Sequence, residues 1–372
     1  MHERVRHAGV RIRWALVFIL LSACIDPIYF DTPPPGVLTV VEGMISDEPG
    51  PYVVKVSNAV ALDADSVYRP PVEHAKITLY DDEENSEAFT EISPGVYSTG
   101  GVIQGVVGHS YHIEIETADG TIFRSEADQL FPGGEVSDIR YEYEARTVHQ
   151  PYGDLSADVF KIFIDASAEG QRYVRWRFNG MYKVVTEPKL HQIWLQGFIL
   201  KDPPPCSGYV VAPAVGGGRL EKVAECTCCT CWISQFESQP HVSDDQLVSD
   251  GQFRDIKVGE VPINLFTFFD KYRVEVEQMS LSRPAYEFFK LVQSQKEQAS
   301  NVFQPPSGEI RGNMHNVSSD APVVGIFYAA SVSRKAIFIP KSALPYKIPP
   351  LNYTDACTNL ANSTNVEPEG WQ

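Results

Sequence analysis

His109-Ser110-Tyr111-His112-Ile113-Glu114-Ile115-Glu116, then Thr117-Ala118-Asp119-Gly120, then Thr121-Ile122-Phe123-Arg124-Ser125: these seventeen residues decide the fold class. Apolar and polar side chains alternate on both sides of an Asp-Gly pair. That pair adopts the positive φ values a tight hairpin needs, so 109–116 and 121–125 read as antiparallel strands. Upstream the same pattern repeats. Val37-Leu38-Thr39-Val40-Val41-Glu42 is β-branched and stops at Gly43, and Tyr52–Val56 follows the turn Glu48-Pro49-Gly50-Pro51. Ala75–Tyr80 and Gly95–Ser98 complete the set. Short strands about 8–12 residues apart, with turn residues between them, predict an immunoglobulin-like β-sandwich over 37–133. Phe131-Pro132-Gly133-Gly134 marks its end.

Downstream, residues 134–345 read as a larger β-rich domain. Between Asp158 and Asp165, Phe160, Ile162 and Ile164 share one face, and Val159, Lys161 and Phe163 the other. Tyr173–Phe178 and Met181–Thr186 suggest a strand pair turning at Asn179-Gly180. Further strand candidates are Pro262–Phe268, Tyr272–Ser280, Pro322–Ala329 and Lys335–Ile339. One amphipathic helix is expected near 283–300: Ala285, Phe288, Phe289 and Val292 recur at helical spacing behind an N-cap at Ser282, with Pro284 in the first turn. Its phenylalanine pair suits a core or a sheet edge. Residues 346–372 form a C-terminal tail. The fold class expected is therefore mainly β: a sandwich, then a β-rich domain with one helix and a disulfide-rich loop.

The amino terminus carries an address. Arg4, Arg6, Arg11 and Arg13 precede a greasy run from Trp14 to Ala23. That run is too short for the roughly 20 residues a membrane-spanning helix requires, so 1–23 reads as a secretory signal. Leu21-Ser22-Ala23-Cys24 then matches the site where bacterial lipoproteins are cut and acylated, which makes Cys24 the lipidation candidate. Residues 24–36, with Pro27, Pro33, Pro34 and Pro35, form a stiff extended tether. Removing the signal leaves 27 basic and 47 acidic side chains, a net charge of −20. So acidic a surface argues against nucleic acid and against anionic headgroups as partners, leaving the N-terminal lipid as the membrane attachment. No later stretch is apolar enough to be a second membrane segment.

Cys206, Cys226, Cys228, Cys229, Cys231 and Cys357 remain once Cys24 is acylated. Outside the cytoplasm an even count reads as disulfides. Within 226–231 the intervening gaps are one, zero and one residue, which does not fit the C-x₂₋₄-C geometry of a zinc site. Neighbours on an extended chain point opposite ways, so Cys228 and Cys229 are poor partners for each other. The cluster is instead expected to distribute bridges, one to Cys206, one to Cys357 and others locally; the connectivity stays open.

No motif names a reaction. Gly108-His109-Ser110-Tyr111-His112 lacks the Gly-x-Ser-x-Gly elbow and sits in a strand, with His109 and His112 expected on its opposite faces. Asp81-Asp82-Glu83-Glu84-Asn85 lacks the spacing of a calcium loop and reads as a solvated hairpin tip. Trp176, Trp194 and Trp232 are candidates for a ligand or partner surface, although core burial is the commoner fate. Catalytic residues, cofactors and metal ligands are therefore not expected.

The order of short motifs resembles one family, the Bacteroidota lipoproteins catalogued as domain of unknown function 4249. The likeness starts at Cys24-Ile25-Asp26-Pro27 and runs through Val40-Val41-Glu42-Gly43 and Asp47–Ser57. It continues through Gly95-Val96-Tyr97, Gly108–Tyr111, Cys231-Trp232 and Ala285-Tyr286, then Gly312-Asn313, Val324–Phe327 and Thr364–Pro368. One departure stands out: Cys357 is alone, and Ala361-Asn362 replaces a glycine pair. The resemblance implies a non-enzymatic outer-membrane lipoprotein, facing the periplasm or the cell surface. It also implies a TonB-dependent receptor as partner and an accessory or cargo-capture role in uptake. The alternatives are a structural or adhesive envelope protein binding glycan or protein, and a hydrolase with a cryptic site.

Overall fold

A computed structural model describes residues 38–59, 70–168, 170, 172–213, 218–237, 239–243, 251–298, 310 and 312–371. The signal, Cys24 and the tether lie outside the described residues. The strands before residue 133 are β1 (Leu38–Ser46), β2 (Val53–Ala59), β3 (Lys76–Asp81), β4 (Ser86–Ala88), β5 (Thr90–Ser93), β6 (Val96–Ser98), β7 (Ser110–Glu116), β8 (Ile122–Ser125) and β9 (Asp128–Gln129). The Asp119-Gly120 hairpin is present, with Glu116 opposite Ile122. Asp81 accepts the N–H groups of Glu83 and Asn85 at 3.0 and 2.8 Å, closing the acidic tip between β3 and β4.

Beyond residue 133 come β10 (Val136–Glu144), β11 (Thr147–Gln150), β12 (Gly153–Ser156), β13 (Val159–Ser167), β14 (Val174–Val185), β15 (Gln192–Leu195) and β16 (Phe198–Lys201). They are followed by β17 (Tyr209–Ala212), β18 (Arg219–Lys222), β19 (Thr230–Phe236), β20 (His241–Val242), β21 (Gln252–Pro262) and β22 (Lys271–Ser280). Helix α1 (Arg283–Gln298) precedes β23 (Met314–Asn316), β24 (Val323–Ala330), β25 (Val332–Pro340) and β26 (Ser363–Thr364).

Two pairs of sheets hold the main cores. One sheet runs β24-β1-β2-β6-β5 and its mate β23-β8-β7-β3-β4. Val41, Ile45, Val54, Tyr97, Ile113 and Phe327 pack between them. Each sheet of this sandwich thus takes a strand from beyond residue 310. The β1–β24 pairing is parallel, with Thr39 beside Val323 and Ser46 beside Ala330. The second pair is β10-β13-β21 against β25-β22-β14-β19-β26, around Phe160, Ile162, Ile164, Trp176, Phe253 and Val274. The tail is packed down: β26 pairs with β19, and buried Trp371 meets the rings of Trp232 and Phe338 edge-on.

Three local expectations are corrected. β1 does not stop at Gly43 but runs on to Ser46, and a Cβ at Gly43 would lie 2.8 Å from Val54 Cγ2. Asn179-Gly180 does not turn either, since β14 passes straight through it. There the glycine makes room for the ring of Tyr272, whose hydroxyl would lie 1.9 Å from an added Cβ. Both glycines are steric clearances that mimic breakers in sequence. Residues 263–268 are not a strand: the Asn264 carboxamide accepts the N–H groups of Phe266 and Thr267 at 2.8 and 3.0 Å, which turns the chain after β21.

The helix starts as its sequence demands, with Ser282 Oγ accepting the Ala285 N–H at 3.2 Å. The same hydroxyl donates to Asp128, whose other oxygen accepts the Ala329 N–H at 2.9 Å. Asp128 is buried, and that burial pushes its carboxyl above the ordinary value. Its contacts join β9 to α1 and to β24. Ala285, Tyr286 and Phe289 pack on Met279, Leu281, Ile326 and Tyr328, a small core between the two large ones.

Candidate functional site

A cleft of about 640 Å³ opens where β24, β1, β2 and the 47–52 loop meet α1, β14 and β25. That volume lies within the range of small-ligand pockets. One wall is apolar, made by Phe288, Phe289, Val292, Ile326 and Tyr328. The other is charged: Arg175, Arg177, Arg334 and Lys55 line it together with Glu42 and Glu48.

Strand alternation places the arginines of the charged wall. In β14, Val174, Trp176 and Phe178 point into the second core, so Arg175 and Arg177 must point out of it. Sheet register then assembles a ladder: Arg177 sits opposite Glu277 of β22, and Glu277 opposite Arg334 of β25. Glu277 pairs with both guanidinium groups, at 2.9 Å for Arg334 Nε, while its own side chain is only 6% exposed. Arg334 reaches on to Glu48 in the 47–52 loop. Beside Glu48, Asp47 accepts the Val332 N–H at 2.9 Å, fastening that loop to the start of β25.

Arg175 is held differently. Its guanidinium carbon lies 4.3 Å from the centroid of the Phe289 ring, and it pairs with Glu237 and donates to the Tyr328 hydroxyl at 3.4 Å. Burial pushes the Glu237 carboxyl above its ordinary value, with Arg175 opposing the rise. Arg175 Nε and Glu237 Oε2 are buried without a hydrogen-bond partner among the described residues. Unsatisfied polar groups of this kind cost roughly 1–3 kcal/mol each. Among the described residues, neither histidine nor cysteine lines the cleft. The arrangement can hold a ligand with an apolar body and oxygen acceptors, the first against the aromatic wall and the second at the guanidinium edges.

The sequence candidates lie elsewhere. Disulfides join Cys206 to Cys228, Cys226 to Cys229 and Cys231 to Cys357. Cys228 and Cys229 take different partners, in keeping with their opposed side chains. Cys231 and Cys357 sit in a fourth small core with Val184 and Ile233. Trp176 and Trp232 are buried, whereas Trp194 is 73% exposed. His109 falls just before β7 rather than on it and pairs with Asp82 at 2.8 Å; His112 stacks on Tyr80. Sequence reasoning missed Arg175, Arg177, Glu237, Glu277 and Arg334. Their signal was the outward charge in Arg175-Trp176-Arg177-Phe178 and Arg273-Val274-Glu275-Val276-Glu277, strands whose inward residues are apolar.

These features define a multi-sheet β protein stapled by disulfides, with an arginine-and-aromatic cleft where its halves meet. The chain belongs to the family described as domain of unknown function (DUF4249), whose model matches residues 25–336. No curated protein matches it.

Proposed function

We propose that this protein is a non-enzymatic, lipid-anchored subunit of the outer membrane. It captures cargo for a TonB-dependent receptor, and the cleft is its cargo site. The observation that carries the reading is the cleft itself, a preformed pocket with one aromatic wall and one arginine wall. Glu48 and Glu277 are engaged by Arg334, so the acids nearest the cleft's arginines are tied up in ion pairs, which favours holding a ligand over breaking a bond. Acylation at Cys24 would hold the subunit near its receptor and raise its effective concentration towards the millimolar range, so weak docking suffices.

Two experiments test this. Metabolic labelling with palmitate should mark the wild-type chain and not Cys24→Ala. Purification of the tagged chain from detergent-solubilised membranes should bring down a TonB-dependent receptor identified by mass spectrometry. An unlabelled wild-type chain, or a preparation without the receptor, overturns the reading.

A further inference from the structure

Among the described residues, strands β15 and β16 pair only with each other, joined by a tight turn at Gln196-Gly197 where both φ values are positive. The register places Ile193 opposite Leu200, Trp194 opposite Ile199 and Leu195 opposite Phe198. Successive residues of a strand face opposite sides, so the Ile193–Leu200 and Leu195–Phe198 pairs make one face and Trp194–Ile199 the other. Both faces are therefore apolar, and all six side chains are exposed: Trp194 at 73%, Phe198 at 70% and Ile199 at 58% lead them.

A lone two-stranded ribbon is marginal in water. This one is held at its root. His191 Nδ1 bonds the Asp202 carbonyl at 2.9 Å, and Lys201 donates to the Gly218 carbonyl of the neighbouring β17–β18 hairpin at 3.1 Å. A few residues on, the Cys206–Cys228 bridge ties the chain to the segment entering β19. The fold thus fastens at its base an element that has no core of its own.

We infer that this ribbon is a membrane-dipping element that seats in the headgroup–acyl boundary of a phospholipid leaflet. A ribbon docking on a protein surface needs one apolar face, whereas immersion in lipid rewards two. The apolar part ends at the Gln192–Lys201 pair, about 10 Å from the turn at ~3.3 Å per residue, the depth of an interfacial element. Trp194 has the amphipathic ring favoured at that level. The unpaired backbone edges of the ribbon keep it there, because they need water or headgroup partners that the hydrocarbon centre lacks.

Charge agrees. From Glu187 to Glu225, which pair with Lys189 and Lys222, the chain has four basic and four acidic side chains and so no net charge, while the whole chain carries a net −17. The acidic excess that repels anionic lipid elsewhere does not extend to this ribbon, and Lys201 sits where a phosphate would be met. The proposal goes beyond the cargo-capture reading and does not depend on acylation of Cys24.

The test uses the chain without the signal, residues 24–372 carrying Cys24→Ser, with its disulfides formed, and vesicles of phosphatidylethanolamine and phosphatidylglycerol. Trp176, Trp232 and Trp371 are buried, so Trp194 is the one exposed tryptophan among the described residues and reports directly. The chain should float with the vesicles, its emission should shift to the blue, and lipids brominated near the headgroup should quench it. The Trp194→Ala, Phe198→Ala double variant, with near-ultraviolet circular dichroism otherwise preserved, should bind at least tenfold more weakly. Absence of flotation, or equal binding by the double variant, overturns the proposal. So does ribbon-dependent self-association, or ribbon-dependent capture of a membrane protein without vesicle binding; either would give the ribbon to a protein partner. Palmitate labelling reads the anchor separately, so the two failures are distinguishable.

Discussion

Glu277 shows how one buried carboxylate sets the character of the cleft. It neutralises Arg177 on one side and Arg334 on the other, and through Arg334 it reaches the loop bearing Glu48. Removing one member of a buried ion network leaves the others uncompensated. Glu277→Ala should cost about 2–4 kcal/mol in chemical denaturation, the lower figure reflecting the partly exposed arginines. Acid sensitivity has a different origin. Two guanidinium hydrogen bonds from Arg146, both 2.7 Å, hold the Glu260 carboxyl down at about 2 against an ordinary 4.5. A depressed carboxylate contributes stability above its unfolded value and loses it as pH falls through the folded one. The Glu260 contribution, screened by solvent to about 1 kcal/mol, is therefore present above pH 4.5 and gone near pH 2. Thermal melts across that window should show Glu260→Gln losing less stability than wild type. Asp128 works in the opposite direction: its raised pKa favours the fold at low pH and that contribution fades as pH climbs.

At the scale of elements, the disulfides divide the labour. The Cys231–Cys357 bridge spans 126 residues and fastens the tail that carries Trp371. Chain entropy assigns such a loop about 5 kcal/mol. Replacing both cysteines by serine should lower the denaturation midpoint by a corresponding amount, free the tail to protease and remove the Trp232–Trp371 band from near-ultraviolet circular dichroism. Replacing Cys206 and Cys228 should cost about 3 kcal/mol, because the span is 22 residues, and should loosen chiefly the β15–β18 region. Gly180→Ala should destabilise by about 2 kcal/mol or more, since the buried Tyr272 has its hydroxyl committed to Gln235 at 2.8 Å and cannot easily yield. These elements also show what sequence reveals. The 109–125 hairpin, the helix cap at Ser282 and the faces of β13 were legible because each rests on neighbours in the chain. Gly43 and Gly180 misled because a glycine that admits a distant ring looks, locally, like one that ends a strand. The cleft was illegible for the same reason: alternation predicts that Arg175 and Arg177 face outward, but only the register of three strands puts Glu277 between Arg177 and Arg334.

For the whole molecule, the decisive feature is the return of β23 and β24 to the first sandwich, which no local pattern foretold. Residues 37–133 alone would leave one side of β1 unpaired and lack Met314 and Phe327 from their core. That fragment should give poorly dispersed amide resonances, and appending residues 312–331 should restore dispersion. The parallel pairing of Thr39 with Val323 also bears on timing. β1 cannot be sealed until β24, more than 280 residues further along the chain, has been translated. Until then it presents an open hydrogen-bonding edge, the template that stray chains add to. Such an order of events calls for a chaperone that holds the polypeptide extended and lets go only when β24 has arrived.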